Sequence, residues 1–218
     1  ALASTAARTP DLRAEKLVSR RYRFVWLCNP KVASRSLIAG LRAADPDAEL
    51  VRHATFAEIL AARPGIAGYT SFAFVRHPVA RCFSLWRDKH ALALRRRDAY
   101  RRFIEPWHGL AAGMDFAGFC RWLATPCGSD AFADRHWLSQ HRQIRTAGGR
   151  LPDFIGAFER LDEDWRVLCG RLGIAHRALP RLNAGPAGGV PEDDRLDAGT
   201  HALLARRYAE DFRLGGYG

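Results

Sequence analysis

Two stretches of strand length are dominated by apolar residues: "YRFVWLC" at 22–28, continuous from Phe24, and "YTSFAFV" at 69–75, continuous from Phe72. Such runs mark strands buried on both faces, as in a parallel sheet. A helical pattern follows each one. Residues 34–43, "SRSLIAGLRA", read as a helix with Ser34 near its N-cap. In "RHPVARCFSLWRDK", Pro78 suits a first helical turn, and Val79, Cys82, Phe83 and Trp86 recur at i, i+3, i+4 and i+7. Two strand–loop–helix units with basic residues at the strand ends predict an α/β fold, a central parallel sheet flanked by helices. Ligands of such sheets gather at the carboxyl ends of the strands.

Further along, "DFAGFCRWLA" reads as a helix capped by Asp115, "DFIGAFERL" as a short strand, and "DEDWRVLCGRLG" as a helix. In that helix Trp165, Leu168, Cys169 and Leu172 form the core stripe and Gly173 is the stop signal. "LRRRDAYRR", 94–102, reads as one basic helix face, 183–191 as a loop, and the C-terminal stretch as helical up to its glycines. No internal repeat or long linker divides the chain. The expected organisation is a flexible arm over 1–20 and one domain over 21–218.

At 218 residues the chain can bury an ordinary core without metals or disulfides. No apolar run reaches the ~20 residues of a membrane helix. The start lacks a signal peptide's apolar centre, although a removed anchor would leave no trace. The five cysteines show no CxxC spacing, and several fall on apolar positions. They read as reduced core residues, which suits a cytoplasmic setting and argues against a zinc site. The net charge of +11 implies an anionic partner: nucleic acid, an acidic polysaccharide or a nucleotide.

The basic residues are nearly all arginine. The only lysines are Lys16, Lys31 and Lys89, and Lys31 sits in the loop "NPKVASRSL" between the first strand and its helix. Helix N-termini attract anions through unpaired N–H groups and the dipole. The loop therefore resembles a phosphate cradle, with Ser34 and Ser36 as hydroxyl donors, but it lacks the glycines of a Walker motif. At the second strand end Arg76 leaves directly, and Ser84 follows eight positions later. An arginine fork and a hydroxyl could converge on one phosphate.

Together these residues carry a resemblance. "PKVASRSL" resembles the 5′-phosphosulfate loop of the sulfotransferases, and "FAFVRHPVARCFSLWRDK" resembles their 3′-phosphate motif, R-x-P-x-x-R-x-x-S. "HATFAEI", "DFIGAFERLDEDW", "LPRLNAGP" and "YAEDFRLGGY" match in order, over roughly residues 24–217. The chain is thus similar to the carbohydrate sulfotransferases of the chondroitin type, and suggests a bacterial member with a P-loop-like sulfotransferase fold. The resemblance implies 3′-phosphoadenosine 5′-phosphosulfate (PAPS) as donor, 3′-phosphoadenosine 5′-phosphate (PAP) as product, and no metal. It implies that Pro30, Lys31, Val32, Ala33, Ser34, Arg35, Ser36 and Leu37 hold the 5′-phosphosulfate. Arg76 and Ser84 would hold the 3′-phosphate, with Phe158 near the adenine. Arg35 departs from the family pattern, which has a small residue there.

Transfer also needs a base, and histidine has a suitable pKa. His53, 23 positions before Arg76, resembles the catalytic histidine of cytosolic sulfotransferases. His136, followed by Trp137, resembles an "HW" segment of the carbohydrate enzymes and is the rival, as an acceptor contact. Glu58 is the carboxylate alternative. Trp107, Trp122 and Trp137 could stack on sugar rings or belong to the core. The expected acceptor is a hydroxyl, or less readily an amine, of a carbohydrate or glycan-like molecule, and the positive charge suits an acidic one. Two other classes stay open. A P-loop-like nucleotide kinase would want Walker glycines and a magnesium carboxylate, and a basic nucleic-acid-binding module would want a recognisable motif; neither signature is present, and no nucleic acid is expected as partner.

Overall fold

The structure, a computed structural model, describes residues 14–182 and 196–217. The loop expected at 183–191 and the first 13 residues of the expected arm lie outside them. The elements in chain order are β1 (Lys16–Ser19), β2 (Phe24–Leu27), α1 (Ser34–Ala44), β3 (Glu49–Val51), α2 (Phe56–Ala62) and β4 (Thr70–Val75). Then come α3 (Pro78–Ala93), α4 (Arg97–Phe103), α5 (Phe116–Leu123), α6 (Gln140–Gln143), β5 (Phe154–Ala157), α7 (Leu161–Leu172), α8 (Ala198–Arg207) and α9 (Ala209–Gly215). The fold is α/β, with one mixed central sheet flanked by helices. Its described residues gather into two compact units, 14–76 with 140–182 and 77–139 with 196–217.

The first unit holds the sheet, in the order β3-β1-β2-β4-β5. β2, β4 and β5 are parallel, as expected of the central sheet, and β1 runs antiparallel to both of its neighbours, so the sheet as a whole is mixed. β1 lies within the stretch expected to be an arm, and the reason is physical. Its polar residues are buried and hydrogen-bonded: Lys16 Nζ donates to Ala14 O and Ala54 O, both at 2.7 Å, and Ser19 Oγ donates to Asp45 Oδ2 at 2.6 Å. A pattern of apolar positions does not register such a strand.

Phe24, Trp26, Phe72 and Phe74 from the central strands form the core with Leu37 and Leu41 of α1 and Trp165, Leu168 and Cys169 of α7. Gly156 makes room for it: a Cβ there would meet the Phe74 ring at 2.4 Å. α7 ends as expected, with Gly173 in the left-handed conformation (φ 66°).

The second unit is helical. Its core joins Cys82, Phe83 and Leu85 of α3, Phe116, Phe119 and Trp122 of α5, and Leu204 and Tyr208 at α8. Asp115 caps α5 as expected, accepting from Gly118 N. Two boundaries differ from expectation. The basic stretch is helical only from Arg97, because α3 ends at Ala93, and the C-terminal helix breaks at Tyr208 between α8 and α9.

His90, on α3, is 4% exposed, with its ring 5.0 Å from that of Phe119. Among the described residues neither of its ring nitrogens has a hydrogen-bond partner. Burial therefore lowers its pKa from 6.5 to about 4. Between those values the unfolded chain binds a proton that the folded chain does not, so His90 favours folding above pH 6.5 and loses that contribution as pH falls toward 4. Denaturant titrations from pH 7 to 4 should show a smaller loss of stability in His90→Leu than in the wild type; parallel curves would contradict this.

Candidate functional site

The site begins where β2 ends. Asn29 is fully buried, and its Nδ2 donates to Phe74 O at 3.2 Å and to Gln140 Oε1 at 2.7 Å. The next residues turn sharply. Lys31 (φ 72°) and Ala33 (φ 60°) both adopt the left-handed conformation, where a Walker loop would use glycine. Each such non-glycine residue costs about 1–2 kcal/mol, strain of the kind that collects at functional sites. Val32 is wholly buried and fixes the loop to the core. Ser34 Oγ donates to Asn29 O at 2.9 Å and closes the loop across its mouth.

α1 starts at Ser34 itself, with Ala33 at the N-cap, no side-chain cap and no acidic residue in its first turn. A helix of this kind presents N–H groups and the positive end of its dipole, and Lys31 stands at that end. The two serines differ from their expected use. Ser34 gives its proton to Asn29, and Ser36 is 4% exposed and accepts from Leu182 N at 3.3 Å. Leu37 is core, while Arg35 is exposed.

The neighbouring strands supply the rest. Val75 pairs with Ala157 in parallel register, so Arg76 and Phe158, one residue further on, leave the sheet side by side. The Arg76 guanidinium carbon lies 4.1 Å from the centre of the Phe158 ring, and Nη1 donates to Lys31 O at 3.2 Å. The structure thus brings together Lys31, Arg76 and Phe158, three residues expected on different segments. It adds two that the sequence reading missed, Asn29 and Gln140. Gln140 is fully buried; its Oε1 accepts from Arg76 N at 2.9 Å and its Nε2 donates to Arg76 O at 2.7 Å. Asn29 had one signal, a polar residue closing an apolar run; Gln140, 64 positions from Arg76, had none.

His53 leaves the same edge of the sheet. Lys16 pairs with Leu27 on one side and Val51 on the other, so the ends of β2 and β3 are level. His53 is exposed, with φ 61°. Glu58, the carboxylate alternative, is engaged as the third residue of a capping box with Thr55, its Oε2 accepting from Thr55 N at 2.6 Å.

The remaining expected residues belong to the helical unit. Ser84 is half-buried on α3. Arg81, the middle arginine of the motif, is 2% exposed and braces the carbonyls of Leu138 and Arg135. His136 is half-buried, and Asp134 Oδ1 accepts from both its backbone N–H and its Nδ1. Burial lowers the His136 pKa, and Asp134 opposes this only in part. Trp137 is corrected: it is 2% exposed, and its ring packs edge-on against Trp107 and Trp122, so it is a core residue and not a surface for stacking sugars. All five cysteines are free thiols. Among the described residues no group of three or more His, Cys, Asp and Glu could hold a metal ion, and no helix is long and apolar enough to cross a membrane.

A sequence model of the sulfotransferase family matches residues 15–218, and the chain belongs to that family. It is therefore an enzyme that transfers a sulfuryl group. No solved structure matches the chain significantly.

The loop strain can be tested without a ligand. Ala33→Gly removes the left-handed penalty at the N-cap while adding freedom to the unfolded chain. Its stability should stay level or rise by up to about 1 kcal/mol in denaturant titration. A loss of about 1 kcal/mol, usual for Ala→Gly within a helix, would contradict the left-handed assignment.

Proposed function

We propose that this member of the sulfotransferase family takes PAPS as its donor and sulfates a hydroxyl, or less readily an amine, of a carbohydrate or glycan-like acceptor. The observation that carries the reading is the contact of Arg76 with both Lys31 O and the Phe158 ring, beside a helix start without a cap. The donor set suits a nucleotide with anions at both ends. The amides from Val32 to Leu37 and the Lys31 ammonium would hold the 5′-phosphosulfate. Arg76 would hold the 3′-phosphate, and Phe158 offers an aromatic face to the adenine. Pro30 shapes the loop, and Arg35, exposed on the first turn, would add positive potential.

In the transfer, the acceptor oxygen forms a bond to sulfur as the bond from sulfur to the bridging phosphate oxygen breaks. PAP leaves with that electron pair, and the acceptor proton passes to a base. Catalysis comes from positioning and charge stabilisation, as in phosphoryl transfer. Lys31 suits the leaving side because a compact ammonium can follow charge onto the bridging oxygen. His53 would take the proton. His136, its Nδ1 side tied to Asp134 and its pKa lowered by burial, would bind the acceptor as a neutral imidazole. The net charge of +11 supports an acidic acceptor, and five free cysteines suit the reducing cytoplasm.

Arg76→Ala should weaken PAP binding by about 1.5–3 kcal/mol and erase most of the preference for PAP over AMP, measured by calorimetry. Lys31→Ala should lower PAPS turnover far more than PAP affinity, since PAP lacks the transferred group. Unchanged turnover in Lys31→Ala would remove the lysine from the mechanism.

The base is tested by substitution. His53→Ala should slow turnover by about 10²–10⁴-fold at nearly constant PAP affinity. His136→Ala should instead raise the acceptor KM more than it lowers kcat. Exchanged outcomes would move the base to His136.

A further inference from the structure

The amide of Gln140 joins the two strand ends that carry the phosphate motifs. Its Oε1 accepts from Asn29 Nδ2 before the Lys31 loop and from the backbone N–H of Arg76, and its Nε2 donates to the Arg76 carbonyl. Both the N–H and the C=O of the peptide units flanking Arg76 are thus held by one side chain. That side chain is fully buried and arrives from a segment 64 positions away. Asn29 extends the link, since its Nδ2 also donates to Phe74 O on β4. Without Gln140, Arg76 would leave β4 at a point where the ladder to β5 has ended, with Val75 and Ala157 its last pair. Gln140 hydrogen-bonds the Arg76 backbone at that point, where the arginine side chain turns toward Lys31 O and the Phe158 ring.

We infer that Gln140 is the positioning residue of the nucleotide site: it fixes the backbone of Arg76 against the Lys31 loop, so that both anion-binding groups face one ligand at a set spacing. This inference rests on the PAPS reading above. No other side-chain chemistry fills the place equally. Glutamate keeps both accepted bonds but sets a second acceptor against the Arg76 carbonyl unless it is protonated. Methionine keeps the volume and loses all three bonds.

The test is a double-mutant cycle on PAP affinity, with Gln140→Met and Arg76→Ala separately and together. Gln140→Met should weaken PAP binding about 10-fold or more in the wild-type background and little in the Arg76→Ala background, because it acts through Arg76. A general structural role would cost the same in both backgrounds, and that additive result would overturn the inference. If Gln140→Met does not fold, Gln140→Glu carries the test. Its PAP affinity relative to wild type should fall as pH rises and the carboxyl ionises, and wild-type affinity at every pH would overturn the inference. Failure of the wild type itself to bind PAP would overturn both the PAPS reading and this role for Gln140.

Discussion

The candidate site depends on the parallel register of three strands. Val75 opposite Ala157 sets Arg76 beside Phe158, and Trp26 opposite Phe72 sets the distance from there to the loop after β2. A slip of one residue would turn each side chain to the other face, removing the Arg76–Phe158 contact and taking the Phe72 and Phe74 rings out of their packing with α1 and α7. The core resists such a slip, because Phe24, Trp26, Phe72 and Phe74 are all wholly buried. Gly156, closed against the Phe74 ring, allows only one fit. Burial in the sheet therefore fixes the chemistry at its edge.

β2 and β4 were legible in the sequence because both faces of each strand are buried, leaving apolar runs that begin at Phe24 and Phe72. β1 was not, since Lys16 and Ser19 are buried through hydrogen bonds whose partners lie at distant positions such as Ala54 and Asp45. The same division holds at the site. Lys31, Arg76 and Phe158 could be read from local motifs next to strand ends. Gln140 could not, as its role exists only once a segment 64 positions away is folded against Arg76. Trp137 shows the opposite failing: a tryptophan beside a histidine reads equally as a binding surface or as core, and only burial decides.

The three lysines also separate once folded. Lys16 is buried against two carbonyls, and Lys89 lies over the Phe103 ring next to Asp88. Lys31 alone stands in a left-handed turn at the start of a helix without a cap. A point charge at the positive end of a helix adds to a field that already favours anions. The Arg76 guanidinium holds the Lys31 backbone, its Nη1 donating to Lys31 O at 3.2 Å.

The central claim is that this edge of the sheet is built for a nucleotide with a 3′-phosphate and no metal partner. Calorimetric titration of the wild-type protein with PAP, and separately with ATP and magnesium, tests it most directly. The account predicts saturable binding of PAP, unaffected by a chelator, and much weaker binding of ATP. Tight, magnesium-dependent binding of ATP with none of PAP would contradict it.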